Sequence, residues 1–156
     1  MVILITGISS GFGLETARLL AGEGHVVYGT VRREVEPLPG VHYLKVDVRD
    51  RNAVKEVVQQ VVDQEGRIDV LVNNAGMGIG GPVEFATEEE IREQMDANFM
   101  GLVNFVTAVL RHGQQDERGP VEPFGTAAQN IIGESHDYAE NQRSQQYKQA
   151  LAHGIR

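Results

Sequence analysis

Nineteen of this chain's 20 valines lie in residues 1–110, and only Val121 follows them. Apolar, valine-rich runs of four to eight residues are what a strand buried on both faces looks like, and such strands belong to parallel sheets covered by helices. The last third has a different character, holding 7 of the 11 glutamines. The sequence therefore proposes a parallel sheet over its first two thirds and no continuation of it afterwards. Its 156 residues suffice for one domain with a buried core. No internal repeat or low-complexity linker is evident, although Arg111–Pro120 is polar and rich in chain breakers.

Within residues 1–110, strand and helix patterns alternate. Val2–Ile5, His25–Val31, Val41–Val48 and Ile68–Val72 read as strands. Leu14–Glu23 follows a helical pattern stopped by Gly22 and Gly24. Asp50 can cap a helix over Asn52–Glu65, where Val54, Val57, Val58, Val61 and Val62 form one apolar stripe. Thr87 and Glu90 make a capping box that opens a long helix to about His112. Crossovers this short join parallel neighbours with right-handed connections. The expected fold is α/β, a Rossmann-type doubly wound parallel sheet.

Charge and composition narrow the function classes. Fourteen Lys plus Arg against 22 Asp plus Glu give a net charge of −8, opposite to the footprint of a nucleic-acid or anionic-membrane binder. Without cysteine there is no disulfide, thiolate metal site or cysteine nucleophile. The apolar run Val2–Ile5 is too short for a signal or membrane segment. The expectation is a soluble cytoplasmic protein, with no nucleic-acid or membrane partner.

Thr6-Gly7-Ile8-Ser9-Ser10-Gly11-Phe12-Gly13 joins the first strand to the first helix. Glycines there allow a tight turn and close approach of backbone to a pyrophosphate, which the free N–H groups of the helix start then stabilise. Ser9 and Ser10 add hydroxyl donors. Gly7, Ser9, Ser10, Gly11, Phe12 and Gly13 are therefore candidate cofactor-binding residues.

The spacing Thr-Gly-x-x-x-Gly-x-Gly resembles that of the short-chain dehydrogenase/reductase family rather than the G-x-G-x-x-G fingerprint. Asn73-Asn74-Ala75-Gly76 after the fourth strand is similar to the family's Asn-Asn-Ala-Gly motif, which puts Asn74, Ala75 and Gly76 at the cofactor. Asp47-Val48 ends the third strand, where the resemblance implies an aspartate facing the adenine amino group. At the end of the second strand, NAD-dependent members carry an acidic residue that bonds the ribose hydroxyls. Here Val31 takes that position and Arg32 and Arg33 follow. A guanidinium is a fixed fork for phosphate, so NADP(H) is the expected cofactor, with Arg32 its first contact and Arg33 the alternate. The other reading of the pair is two solvated loop arginines.

Asn98 stands out on spacing alone. Ile91, Met95, Asn98, Leu102, Phe105 and Val109 recur at three or four residues, which places an amide within an apolar stripe, where it needs hydrogen-bond partners. It either braces the helix or, as the resemblance implies, is the catalytic asparagine that holds a water in a proton relay.

The family's chemistry also needs a serine after a fifth strand and a Tyr-x-x-x-Lys pair. The lysines are Lys45, Lys55 and Lys148, preceded four positions earlier by Val41, Arg51 and Ser144, so the sequence contains no Tyr-x-x-x-Lys. Tyr147 and Lys148 are adjacent and would diverge by about 100° on a helix. Val121-Glu122-Pro123-Phe124-Gly125-Thr126 faintly resembles the family's exit from its sixth strand, as if a catalytic segment were skipped between about Gly113 and Val121. Complete members run to roughly 250 residues, at the upper end for one domain of this kind. The expected organisation is an NADP-binding portion over 1–112 and a carboxyl-terminal fragment over 113–156, a substrate lid or terminal helix. Without a fifth strand the sheet looks incomplete after its fourth strand and helix. Neither Ser135-His136-Asp137 nor Glu134 with His136 makes a site, since triads are not contiguous and zinc needs more ligands. Two functions remain open: an NADP(H)-dependent oxidoreductase acting on a carbonyl or secondary alcohol, expected as a homo-oligomer, or a nucleotide-binding remnant or sensor without catalysis.

Overall fold

The computed structural model describes residues 1–80 and 85–113. Strand β1 (Val2–Ile5) leads into helix α1 (Gly11–Gly22), then β2 (Val26–Val31), β3 (Val41–Lys45), α2 (Arg51–Glu65) and β4 (Val70–Val72). Helix α3 (Glu88–Met95) passes through one π-helical turn, Asp96–Met100, into α4 (Gly101–Gly113). The four strands form one parallel sheet in the order β3-β2-β1-β4. Each element the sequence proposed in this region is present, with ends moved by a few residues. β3 stops at Lys45 because Asp47 accepts the Asp50 N–H through its carbonyl, turning the chain into α2.

Side-chain alternation assigns the two faces of the sheet. Ile3, Ile5 and Val27 join Ile8, Ala17 and Leu20 in the core under α1. Leu4, Tyr28 and His42 are register partners and point the other way. Tyr28, 2% exposed, stacks on His42 and donates its hydroxyl to Glu65 of α2 at 2.7 Å. Val54, Val58 and Val61 of α2 are fully buried on this side, so their valine stripe packs as its period requires. Burial, reinforced by the Glu65 hydrogen bond and charge, pushes the Tyr28 phenol up to about 12.

Helix starts follow the expected chemistry. The Asp50 carboxylate accepts the Asn52 and Ala53 N–H groups, each at 3.0 Å, and left-handed Gly66 ends the same helix. Thr87 and Glu90 form the reciprocal capping box, which holds the Glu90 carboxyl below its usual range.

The long final helix departs from its proposed stripe. Ile91, Met95 and Leu102 are exposed, whereas Phe105 and Val109 are buried. In the π turn the Gly101 N–H reaches back five residues to Asp96, one more than in an α-helix. One extra residue rotates the downstream face by about 100°. The buried seam is thus Ala97, Gly101, Asn104, Phe105 and Ala108, and Asn98 lies on the exposed side.

Candidate functional site

Two loops at the carboxyl ends of the parallel strands are joined through Thr6. The Thr6 side chain, 2% exposed, accepts the Asn74 N–H at 3.0 Å and the Ala75 N–H at 2.9 Å, and donates weakly to the Val72 carbonyl. Two accepted bonds and one donated use the whole capacity of a hydroxyl. The Asn74 side-chain amide returns the connection, donating to the Thr6 and Gly7 carbonyls at 3.0 and 2.8 Å. On the other flank the Gly7 and Ile8 N–H groups both donate to the Thr30 carbonyl of β2.

Glycine is required here for two separate reasons. At Gly7, φ is +73°, and a Cβ would stand 2.7 Å from the Ala75 Cα. At Gly13, a Cβ would run into the Asn74 amide and the Gly7 carbonyl. Both glycines let the two loops close on each other. Gly11 differs: it needs its left-handed φ of +62°, but the space beside it is open.

The loops enclose a cleft of about 290 Å³ between Ser9–Ser10, the end of β2, Asp47–Arg49 and Asn74–Met77. Of the candidate residues, Gly7, Ser9, Ser10, Arg32, Asp47, Val48, Asn74, Ala75 and Gly76 line it together. Gly11, Phe12, Gly13 and Arg33 stand outside the lining, and the Phe12 ring is 89% exposed. Ser10 is the extended N-cap of α1, its hydroxyl makes no capping bond, and no acidic residue occupies the first turn. The positive end of the α1 dipole thus meets no carboxylate of its own helix beside the cleft, as a diphosphate requires.

The charges divide along the cleft. Arg32 follows buried Val31 and is exposed, with no ion pair among the described residues. Asp47 is held by Arg49, which sequence reading missed. The Arg49 N–H and Nε each donate to Oδ1 at 3.0 Å, and its terminal nitrogen donates to Oδ2 at 2.6 Å. Arg49, aided by the charge of Arg32, holds the Asp47 carboxyl below its ordinary range and has its own raised in return. Spacing offered no signal for this pair, because Asp47 and Arg49 meet only through the turn after β3. Glu34 pairs with Lys45 at 3.9 Å.

Asn98 does not line the cleft but fastens one of its walls. Its Oδ1 accepts the Met77 N–H at 2.7 Å and its Nδ2 donates to the Met77 carbonyl at 2.8 Å. Gln94, one helical turn earlier, accepts the Ile79 N–H at 3.0 Å. The expected buried amide is therefore an exposed one with both functions satisfied by backbone. Asn104 donates to the Val48 carbonyl, and Gly101 leaves room for the Val48 side chain, tying α4 to the opposite wall.

A more open groove of about 640 Å³ between α2 and α4 shares no lining residue with this cleft. Among the described residues no three His, Cys, Asp or Glu side chains cluster as a metal site, and no helix is long and apolar enough to cross a membrane. The Val121–Thr126 resemblance, Glu134–Asp137 and Tyr147-Lys148 lie outside the described residues.

A parallel sheet with a glycine-rich turn after β1 and a cleft at its carboxyl edge defines a Rossmann-type domain. Residues 1–121 match the short chain dehydrogenase family model. The chain belongs to the short-chain dehydrogenase/reductase family, a family of oxidoreductases. It is 51% identical over 120 residues to a 3-ketodihydrosphingosine reductase of Bacteroides thetaiotaomicron, covering 77% of this chain and 45% of that protein. It is 35% identical over 136 residues to an NADP-dependent 3-hydroxy acid dehydrogenase of Salmonella typhi, covering 82% and 55%. The crystal structure of a Brucella melitensis 3-oxoacyl-[acyl-carrier protein] reductase in complex with NAD superposes with a TM-score of 0.69 at 34% identity, covering 76% and 51%. The chain spans about half the length of these relatives.

Proposed function

We propose that this chain binds NADP(H) in the cleft between β1, β2 and β4, and serves transfer of hydride between the nicotinamide and a carbonyl or secondary alcohol. The observation that carries the cofactor choice is Val31-Arg32: an apolar residue ends β2 where a carboxylate would repel a 2′-phosphate, and a guanidinium with no ion pair among the described residues follows it into the cleft. The NAD-bound relative shows that the fold alone does not decide between the two cofactors, so the argument rests on these two side chains. The bound nucleotide would supply the hydride, and the residues described here hold and orient it. Ser9, Ser10 and the first-turn N–H groups of α1 face the diphosphate, Asp47 the adenine, and Asn74 to Gly76 the floor. Asn98 fixes the floor through Met77, and in the catalytic role it also orders a water there. The substrate class is supported by the names of the relatives, a keto-group reductase and a hydroxy-acid dehydrogenase.

Isothermal titration with NADPH and NADH tests this reading. NADPH should bind at least tenfold tighter, about 1.4 kcal/mol, and Arg32→Ala should remove most of that preference while leaving NADH within threefold. Equal binding by the unaltered protein would refute it. The absence of Tyr-x-x-x-Lys supports a second reading, binding without turnover. A carbonyl panel with NADPH separates the two, because turnover excludes the second and binding without oxidation excludes the first. Self-association is part of the proposal: Ile91, Met95, Phe99 and Leu102 form an exposed apolar series along α3 and α4. Light scattering showing only monomers would remove that part.

A further inference from the structure

Two cations and one carboxylate share the adenine end of the cleft, Arg32, Arg49 and Asp47, and all three line it. Asp47 faces the adenine in the proposal above, and a bare carboxylate at this end of the cleft would set a like charge beside the neighbouring 2′-phosphate and work against the cofactor. A carboxylate beside a lone arginine is also a competitor, since it can draw the guanidinium off the phosphate. Asp47 does neither here because its oxygens are already engaged. Arg49 brings its Nε and terminal nitrogen to the two oxygens of Asp47, the bidentate fit that planar guanidinium makes with carboxylate. Arg32, close enough for its charge to act on Asp47, keeps no ion pair among the described residues. The negative charges of Glu93 and Asp96 also favour the charged form of Arg49.

We infer that Arg49 is a specificity-determining residue: by occupying Asp47 it keeps Arg32 available for the 2′-phosphate and removes the carboxylate that would repel it. The inference rests on the NADP(H) reading. Arg49 acts on the phosphate through Asp47, as a positioning residue, and need not touch the cofactor. One hydrogen bond of the pair belongs to the backbone, from the Arg49 N–H to Asp47 Oδ1. The turn after β3 therefore survives replacement of the side chain, and the exposed site tolerates the change.

The probes are adenosine 2′,5′-bisphosphate and adenosine 5′-monophosphate, which differ only in the 2′-phosphate, titrated against the full chain. Arg49→Met should lower the bisphosphate-to-monophosphate affinity ratio roughly tenfold, with both proteins melting cooperatively. Asp47→Asn added to Arg49→Met should restore the ratio to within about threefold of the unaltered protein, because the carboxylate that Arg49 masked is gone. Arg49→Lys, which keeps the charge but not the fork, should fall between. An unchanged ratio in Arg49→Met overturns the inference. Failure of the double variant to recover also overturns it, since Arg49 would then bind the phosphate directly. Failure of the cofactor reading looks different: the unaltered protein would show no preference, and Arg32→Ala would change nothing.

Discussion

Replacing Thr6 with valine should damage this protein more than replacing it with serine, although valine is the better match in shape. Thr6 is 2% exposed, and its hydroxyl accepts two backbone N–H groups, from Asn74 and Ala75, at 3.0 and 2.9 Å. Valine keeps the volume and strands both donors. A buried donor left without an acceptor costs about 1–3 kcal/mol, so two cost about 2–6 kcal/mol. Both bonds are only partly buried, and water entering from the cleft brings the expected loss to roughly 2–3 kcal/mol. Serine keeps the oxygen and gives up one methyl, worth about 0.8 kcal/mol. Urea denaturation with a shared slope measures the difference, and nucleotide titration reports whether the two loops still meet. Thr6→Val should also weaken cofactor binding, since Asn74 and Ala75 line the cleft. A valine variant as stable as the serine variant would refute the account of Thr6 as the joint between the loops.

The glycines should separate by mechanism. Gly11→Ala should cost about 1–2 kcal/mol for its left-handed backbone alone. Gly13→Ala should cost more and weaken nucleotide binding, because its Cβ displaces the Asn74 amide; equal melting temperatures for the two would contradict this. The pair of Asp47 and Arg49 should stabilise the fold at neutral pH and stop doing so in acid. The folded-state carboxyl lies below its ordinary value of 3.8, so the contribution is complete above that value and disappears as pH falls through the lowered one. The difference in melting temperature between the unaltered protein and Arg49→Met should therefore be flat from neutral pH down to about 5 and shrink below about 4; a difference that persisted at lower pH would exclude the ion pair as its source. Tyr28 should ionise near 12, against an ordinary value of 10.0, in an absorbance titration, and its share of stability is present below 10.0 and lost as pH rises towards 12. Four phenols titrating together near the ordinary value would count against its burial beneath α2.

How much of this was legible in the sequence depended on whether the signal was local. The strands and α2 were, because valine content and the stripe from Val54 to Val62 report burial directly, and the caps at Asp50 and Thr87 are local chemistry. Nine candidate residues meet in one cleft because the glycine turn and the Asn73–Gly76 run each follow a strand of a parallel sheet, and parallel strands end on the same edge. The stripe through Asn98 failed for a physical reason: a 3.6-residue period assumes an unbroken α-helix, and the π turn at Asp96–Met100 inserts one residue into it. Arg49 carried no signal, since an arginine two positions after an aspartate is unremarkable until the turn folds one onto the other.

The π turn also explains why Asn98 can serve the cleft at all. Had α3 run unbroken into α4, the residues that bury Phe105 and Val109 would have placed Asn98 on the same seam, facing the core. A core-facing amide would have had to satisfy itself within the helix packing. The extra residue moves Asn98 out of that seam while Asn104 stays in it, and the two asparagines then hold opposite walls, Asn98 at Met77 and Asn104 at Val48. The continuous run from α3 through the π turn into α4 therefore fixes the separation of the loops after β3 and β4. Regular α-helical winding through Asp96–Met100, with no residue removed, would bring Asn98 back into register with the core and release the Met77 wall, leaving α4 and the Val48 wall in place.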